Sequence, residues 1–353
     1  MLSAPEDFNF FSIASQPYYI FAPDYKDASA GIRALYVLCH TLNCLGYEAY
    51  MADSRLTTPQ LRAPRLDANT LALHWLSGRI PIALYPEMVE GNPIGIPVVA
   101  RWLLNQPGHF GGPRDFDADD LLFYYMDWIV SENLRSRAVR LTVPVIDPTV
   151  FHNDDNPDDG QRRGVCYYAN KYAAFGGKVA PSLIANGTSL GPENVLTRQE
   201  LAAILRRSEA LYCYEQSAII EESLRCGCPV ILVSSSYCDW KTMSGDLLDT
   251  PGVALEEQPD HLARAKEQMP KYLRMGKRFH RIYLDMIETF VQRTQAHCEA
   301  VSQRDSSTRG AELEKAWAFP HLRSGEMHNL FMSRYGVHSE VFRLVQASLF
   351  QTE

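Results

Sequence analysis

The chain is 353 residues long, more than a single core usually holds, so two domains of ordinary size are expected. Hydrophobic residues make up 46% and charged residues 22% of it, proportions that exclude the disordered, fibrous and collagen-like classes. With 42 acidic against 34 basic residues and a formal net charge of −8, no nucleic-acid partner is expected, because neutralising phosphates needs concentrated Lys and Arg.

The opening YYIFAPD is a short apolar run ending at Pro23. The residues at 32, 35, 38, 42 and 45 are then apolar at helical spacing, with Gly46 placed to close the helix. YEAYMA reads as a strand, which completes a strand, helix, strand unit. TLALHWL, IPIALYP and LLFYYMDWIV read as further strands, and this alternation predicts an α/β fold with a doubly wound, mostly parallel sheet. Near 144–163 the chain turns abruptly to Asp, Asn, Pro and Gly and reads as a linker. It bounds a Rossmann-like N-terminal lobe at 1–150.

The second lobe, 151–300, repeats the pattern. GVCYYA is a strand, NKYAAFGGKV a loop, PSLIANG a strand, TRQELAAILRRSEA a helix and ALYCY a strand. A helix follows from Ser217 to Cys226, closed by Gly227, and then the buried strand PVILVSS. Residues 258–300 carry charge at helical period, and 301–353 is read as a C-terminal helical segment. The first twenty residues hold Glu6 and Asp7 and lack a basic start with an apolar run. LLFYYMDWIV, ten residues with Asp127 inside, is too short to span a bilayer. A cytoplasmic protein is expected, with room for peripheral contact with the inner face of a membrane. The eight cysteines form neither a disulfide framework nor paired CxxC motifs and are read as reduced thiols.

In an open parallel sheet, ligands bind at the carboxyl ends of the strands. The best such place is Tyr214-Glu215-Gln216-Ser217-Ala218, which follows ALYCY and opens the next helix, so the backbone N–H groups of 216–218 are placed for a phosphate. Glu222 comes seven residues after Glu215, setting both carboxylates on one side of the helix start, where they suit sugar and ribose hydroxyls. Capping and solvated carboxylates are the plain alternative. Lys171 and Lys178 flank Gly176-Gly177, and cations beside permissive backbone suit a leaving diphosphate, although no GxxxxGK[ST] loop is present and a surface loop is an equal reading. Asn186-Gly187-Thr188, at the end of a strand, would meet the nucleotide. Glu87 and Asn92, after IALYP, are candidate acceptor or sugar contacts and His74, at the end of TLALH, a candidate acceptor contact, against simple turn chemistry and a satisfied structural histidine; Glu87 is also a catalytic candidate, since an inverting enzyme needs a positioned base such as Glu87 or His74. DFDADD at 115–120 has the form of a metal-binding DxD but reads as a helix start, so neither a metal nor a cofactor is expected.

YEQSAIIEESLRCGCPVIL resembles the donor-binding segment of GT-B glycosyltransferases, especially the family-4-like retaining enzymes, in which two glutamates bracket a helix start and a Gly, small residue, Pro-Val run follows. DYKDASAGIRALYVLCHTLNCLGYEAYM is similar to the glycine-containing loop, helix and strand with which those enzymes begin, Gly31 being the glycine that lets backbone approach a ligand. The resemblance implies a GT-B fold, two Rossmann-like lobes facing a cleft, with C-terminal helices. It implies a nucleotide-sugar donor on the second lobe and a glycan, lipid-linked or other acceptor on the first, with retention of configuration and cell-surface polysaccharide synthesis as the setting. Glu215 would then contact the sugar and Glu222 the ribose, with Lys171 or Lys178 as the cation. Glu215 sits one residue closer to Glu222 than the usual spacing, and Glu221 competes with Glu222. A sugar-nucleotide epimerase or hydrolase of the same fold, and a non-catalytic sugar-nucleotide-binding protein, are the alternative readings.

Overall fold

The structure, a computed structural model, describes residues 15–303 apart from 28, 110, 155–161, 192–193, 195, 236–237, 241–246 and 276–278. The chain divides into two compact units, residues 1–143 with the stretch from Met286 onward, and Pro144–Asp285. The second lobe read from the sequence ran on to 300, whereas residues from Met286 pack with the first unit. Most of the C-terminal segment, 304–353, lies outside the described residues.

The first unit runs β1 (Tyr18–Phe21), α1 (Ala30–Cys44), β2 (Ala49–Ala52), α2 (Ala68–Leu76), β3 (Ile82–Pro86), β4 (Val98–Leu103), β5 (Leu121–Tyr124), α3 (Glu132–Arg135) and β6 (Ala138–Arg140). Its strands form one parallel sheet in the order β2-β1-β3-β4-β5-β6. Tyr18, Tyr19 and Ile20 are fully buried, as a parallel strand covered on both faces requires. Ser29 caps α1 by accepting from the Ile32 N–H at 3.4 Å, and Gly46 ends it at φ +89°. A long helix, numbered α9 below (Phe279–Gln303), returns to this sheet. Tyr18 Oη lies 2.9 Å from Thr294 Oγ1, and the Phe290 ring packs against Tyr18 and Phe123 at centroid distances of 5.5 and 4.9 Å.

Three readings of this half change. TLALHWL is the body of helix α2 rather than a strand, because Asp67 caps it by accepting from the Thr70 N–H at 2.7 Å. LLFYYMDWIV is a strand only through Tyr124; Asp127 beyond it pairs with Arg135 and Arg140 at 3.2 and 2.9 Å, which holds the chain in a turn. DFDADD is a turn leading into β5 and not a helix start. Strand β4, which the sequence reading missed, carries Arg101 in its middle. That guanidinium is buried, pairs with Asp120 at 2.8 Å and donates to the carbonyls of Val89 and Gly91.

The second unit runs β7 (Val165–Tyr168), α4 (Asn170–Ala174), α5 (Pro181–Asn186), β8 (Gly187–Ser189), α6 (Arg198–Arg207), β9 (Ala210–Cys213), α7 (Ile219–Arg225), β10 (Val230–Leu232), β11 (Val253–Leu255) and α8 (His261–Met275), with the start of α9. Its sheet is again parallel, in the order β11-β10-β9-β7-β8. Thr197 and Glu200 form a reciprocal capping box at α6, and Gly227 leaves α7 at φ +72°. PSLIANG is a helix and not a strand: Pro181 occupies its first turn, where a missing N–H costs nothing, and only Leu183 is buried. NKYAAFGGKV, read as a loop, begins with helix α4.

Buried Arg162 joins three elements of this unit. It donates to Leu205 O and Ser208 O at the carboxyl end of α6, both at 3.1 Å, and to Cys226 O at the end of α7 and Asn153 Oδ1, both at 2.8 Å. A cation at two helix C-termini complements both macrodipoles.

Candidate functional site

Each sheet reverses its winding beside its first strand. In the second unit the chain passes from β7 to β8 on one side and then to β9 on the other, so the switch point lies between the carboxyl ends of β7 and β9, the crevice where open α/β sheets bind ligands. Tyr168 pairs with Cys213 at that edge. The residues just beyond these two are Asn170, Lys171 and Tyr172 on one side and Glu215 and Gln216 on the other.

Glu215 is 0% exposed. Its Oε2 accepts from the Tyr172 N–H at 2.8 Å, while Oε1 is buried with no hydrogen-bond partner. Burial raises its carboxyl above the ordinary range, against the pull of the Tyr172 N–H and the nearby Lys171 charge. Lys171 Nζ donates to Gln216 O at 3.4 Å, so the cation stands beside the carboxylate. Gln216 Oε1 is also buried and unpartnered. A well-packed interior leaves few such atoms without partners, and here two lie on consecutive residues at the switch point.

Around this corner the second unit is closely packed. Tyr214 and Tyr172 stack at 5.0 Å and 20°, and Tyr214 Oη accepts from the Ala180 N–H at 3.2 Å, so Tyr214 is spent as a pillar. Gly177 packs against that stack: a Cβ there would lie 2.4 Å from the Tyr172 ring. Gly176, at φ +83°, donates to Ala173 O at 2.9 Å and closes α4. Lys178 is exposed, with its carbonyl accepting from Tyr172 Oη at 3.2 Å. Lys171 is therefore the lysine next to the carboxylate. Gln216, Ser217 and Ala218 form the loop between β9 and α7 rather than the first helical turn.

Glu222 and Glu215 have different partners, and only Glu222 lies within helix α7. Glu222 is 4% exposed and pairs with Arg198 Nη1 at 3.4 Å, and Arg198 lies over the Phe151 ring at 4.7 Å. That pair ties α7 to the start of α6. Glu221 pairs with Arg225 at 2.7 Å, one turn on. Asn186, Gly187 and Thr188 are displaced. Asn186 ends α5, and Gly187 and Thr188 pair with Val165 and Cys166, the first residues of β7. They sit at the amino edge of the sheet, opposite the switch point.

The first unit has its own switch point, between β1 and β3. Glu87, the residue after β3, is 5% exposed, and its Oε2 accepts from the Leu104 N–H at 3.0 Å just beyond β4. Burial raises its carboxyl to about 7, despite backbone N–H donors that include Leu104 and Asn105. Gly31 lies in the first turn of α1, where a Cβ would meet only Leu104 Cδ1 at 3.9 Å. Packing does not demand glycine there.

His74 and Asn92 are structural. The His74 ring, buried in α2, lies 2.8 Å from Tyr19 Oη through Nδ1 and 2.8 Å from Glu48 Oε2 through Nε2. Asn92 accepts from Tyr85 Oη at 2.8 Å and donates to Ile96 O at 2.7 Å, shaping the turn after Glu87. Asp120 of DFDADD is committed to Arg101. The sequence reading missed Ser234, whose Oγ is buried without a partner just past β10. Its one signal was the run of three serines, 234–236, closing the apolar run PVILV.

No protein-family model and no curated protein matches the chain. Among solved structures it is similar to WaaG, a glycosyltransferase involved in lipopolysaccharide biosynthesis, at 9% identity and a TM-score of 0.42, covering 85% of this chain and 99% of that one. It is also similar to the glycosyltransferase SnogD from Streptomyces nogalater, at 13% identity and a TM-score of 0.39 over 87% and 99%. The rhamnosyltransferase SpnG, solved with thymidine diphosphate, matches at 13% identity and a TM-score of 0.39 over 81% and 99%. Likeness at these scores sets no residue against residue, so the site rests on the geometry of this chain.

Proposed function

We propose that the chain is a glycosyltransferase that takes a nucleotide-sugar donor at the switch point of its second unit. The observation that carries this reading is Glu215: a fully buried carboxyl with one oxygen held by the Tyr172 N–H and the other unpartnered, beside Lys171. A sugar hydroxyl would satisfy the open oxygen, and the lysine would stabilise the diphosphate as it departs. The acceptor oxygen bonds to the anomeric carbon as the bond to phosphate breaks, and its proton passes to the leaving phosphate oxygen. Positioning and charge stabilisation supply the rate.

The finer parts of the proposal are retention of configuration, a reaction without a required metal, and a glycan or lipid-linked acceptor in cell-surface polysaccharide synthesis. A cytoplasmic setting, with peripheral contact at the inner membrane face, completes it. They rest on the resemblance of YEQSAIIEESLRCGCPVIL and the opening segment to family-4-like enzymes. Glu87 is assigned to the acceptor side, where its buried carboxyl offers a hydroxyl an acceptor. Glu222, tied to Arg198, is assigned a structural role instead of a ribose contact.

The test is thermal denaturation with a panel of UDP-, dTDP-, GDP- and CMP-linked sugars, followed by transfer assays with the donors that bind. At ligand a hundredfold above Kd, stabilisation of about 2.7 kcal/mol is expected. No shift with any sugar nucleotide refutes the proposal. Turnover of donor without acceptor identifies a hydrolase or epimerase, and binding without turnover identifies a silent binder.

A further inference from the structure

We infer that Ser234 is a specificity-determining residue that, together with Glu215 and Gln216, reads the hydroxyl pattern of the sugar carried by the donor; this rests on the sugar-transfer reading above. Strand register places the three at one edge. Leu232 pairs with Cys213, and Ser234 and Glu215 each follow two residues beyond that pair. The backbone between is fixed, since the Val233 N–H donates to Cys213 O at 2.9 Å and Trp240 Nε1 donates to Val233 O at 2.9 Å.

Ser234 and the serine that follows it, Ser235, divide their labour. Ser235 Oγ accepts from the Cys238 N–H at 3.1 Å, and the Ser235 N–H donates to Cys238 O at 3.1 Å. That hydroxyl is spent on the turn. Ser234 Oγ is buried and has no partner, and a buried hydroxyl that has given up water without a partner costs stability. The loss is recovered only when something that hydrogen-bonds enters.

The polarity of the corner says what enters. Glu215 Oε1 and Gln216 Oε1 are acceptors, and Ser234 Oγ both donates and accepts. Phosphate oxygens bring no donors and are repelled by a carboxylate. The hydroxyls of a sugar ring donate to the two acceptors and exchange with the serine. The phosphates therefore fall toward Lys171, and the sugar occupies the corner of Glu215, Gln216 and Ser234. A site that pairs with a hydroxyl rejects the epimer that moves it, because its own buried groups are then left unpaired.

Calorimetry tests this with epimeric probes: UDP-glucose against UDP-galactose, UDP-N-acetylglucosamine against UDP-N-acetylgalactosamine, and the corresponding GDP- and dTDP-linked pairs, with each free nucleoside diphosphate as control. The wild type is expected to prefer one member of a pair, and Ser234→Ala to lose that preference by roughly tenfold with affinity for the free diphosphate unchanged. Ser235→Ala should keep the preference. An unchanged preference in Ser234→Ala, an equal loss in Ser235→Ala, or a loss shared by the free diphosphate overturns the role of Ser234 while leaving sugar transfer standing. A wild type that binds no nucleotide sugar overturns both.

Discussion

Replacing Glu87 with glutamine tests whether the first unit carries a buried acid at its switch point. The Glu87 carboxyl is raised from 4.5 to about 7 by burial. Between those values the unfolded chain has released the proton and the folded chain has kept it, so the folded state binds more protons and stability falls as pH rises. Above 7 both forms are ionised and the loss is complete. About 2.5 units at 1.36 kcal/mol each amounts to about 3 kcal/mol. Glutamine keeps an oxygen for the Leu104 N–H and does not titrate, so its advantage over wild type should be about 3 kcal/mol larger at pH 8 than at pH 4. Urea denaturation of both proteins across that range measures the difference, in which the titrations common to both cancel. A pH-independent gap between the two curves would show that Glu87 is solvated like an ordinary carboxylate, and the buried acid would be lost to the argument.

Glu215→Gln should lower kcat/KM for the donor by about 10- to 100-fold, the cost of a hydrogen bond to a charged group, while free nucleoside diphosphate binds as before; calorimetry and initial rates separate the two. Glu222→Ala removes the buried carboxylate that pairs with half-buried Arg198 and should cost about 1–3 kcal/mol of stability with little change in donor affinity, and an unchanged melting temperature would contradict the ion pair. Gly177→Ala drives a methyl into the Tyr172 ring and should destabilise by about 1–3 kcal/mol, weakening donor binding with it because Tyr172 holds Glu215; donor calorimetry on the folded variant checks the link.

The parallel α/β plan was legible because β1, β3 and β9 are unbroken apolar runs and α1 has a polar entry and a glycine exit. Two helices were hidden by length. TLALHWL and PSLIANG are apolar stretches of seven residues, short enough for either period, and the deciding features were Asp67 as a cap and Pro181 in a first turn. Strand β4 was hidden by Arg101, a charge that reads as solvent-facing until its partner Asp120, nineteen residues on, comes beside it. The placement of Glu215 just past β9 followed from strand-end logic, and that of Lys171 from the glycine pair it flanks together with the family resemblance. The fate of Glu222 was not, because Arg198 reaches it from another helix and no local pattern announces that pairing. Ser234 was overlooked for the opposite reason: what sets it apart is a bond it does not make.

The return of α9 to the first sheet sets an order of events in the life of the chain. Tyr18 meets Thr294 across 276 residues of sequence, so the first strand described waits for the last helix described. Meanwhile the strands of the second unit, all lying between Val165 and Leu255, emerge and can pair. The half made first is therefore finished last. During that interval Tyr18, fully buried at the end, lacks the cover that Phe290 and Thr294 give it, and an apolar face left open in this way is where a nascent chain most needs shielding from its neighbours.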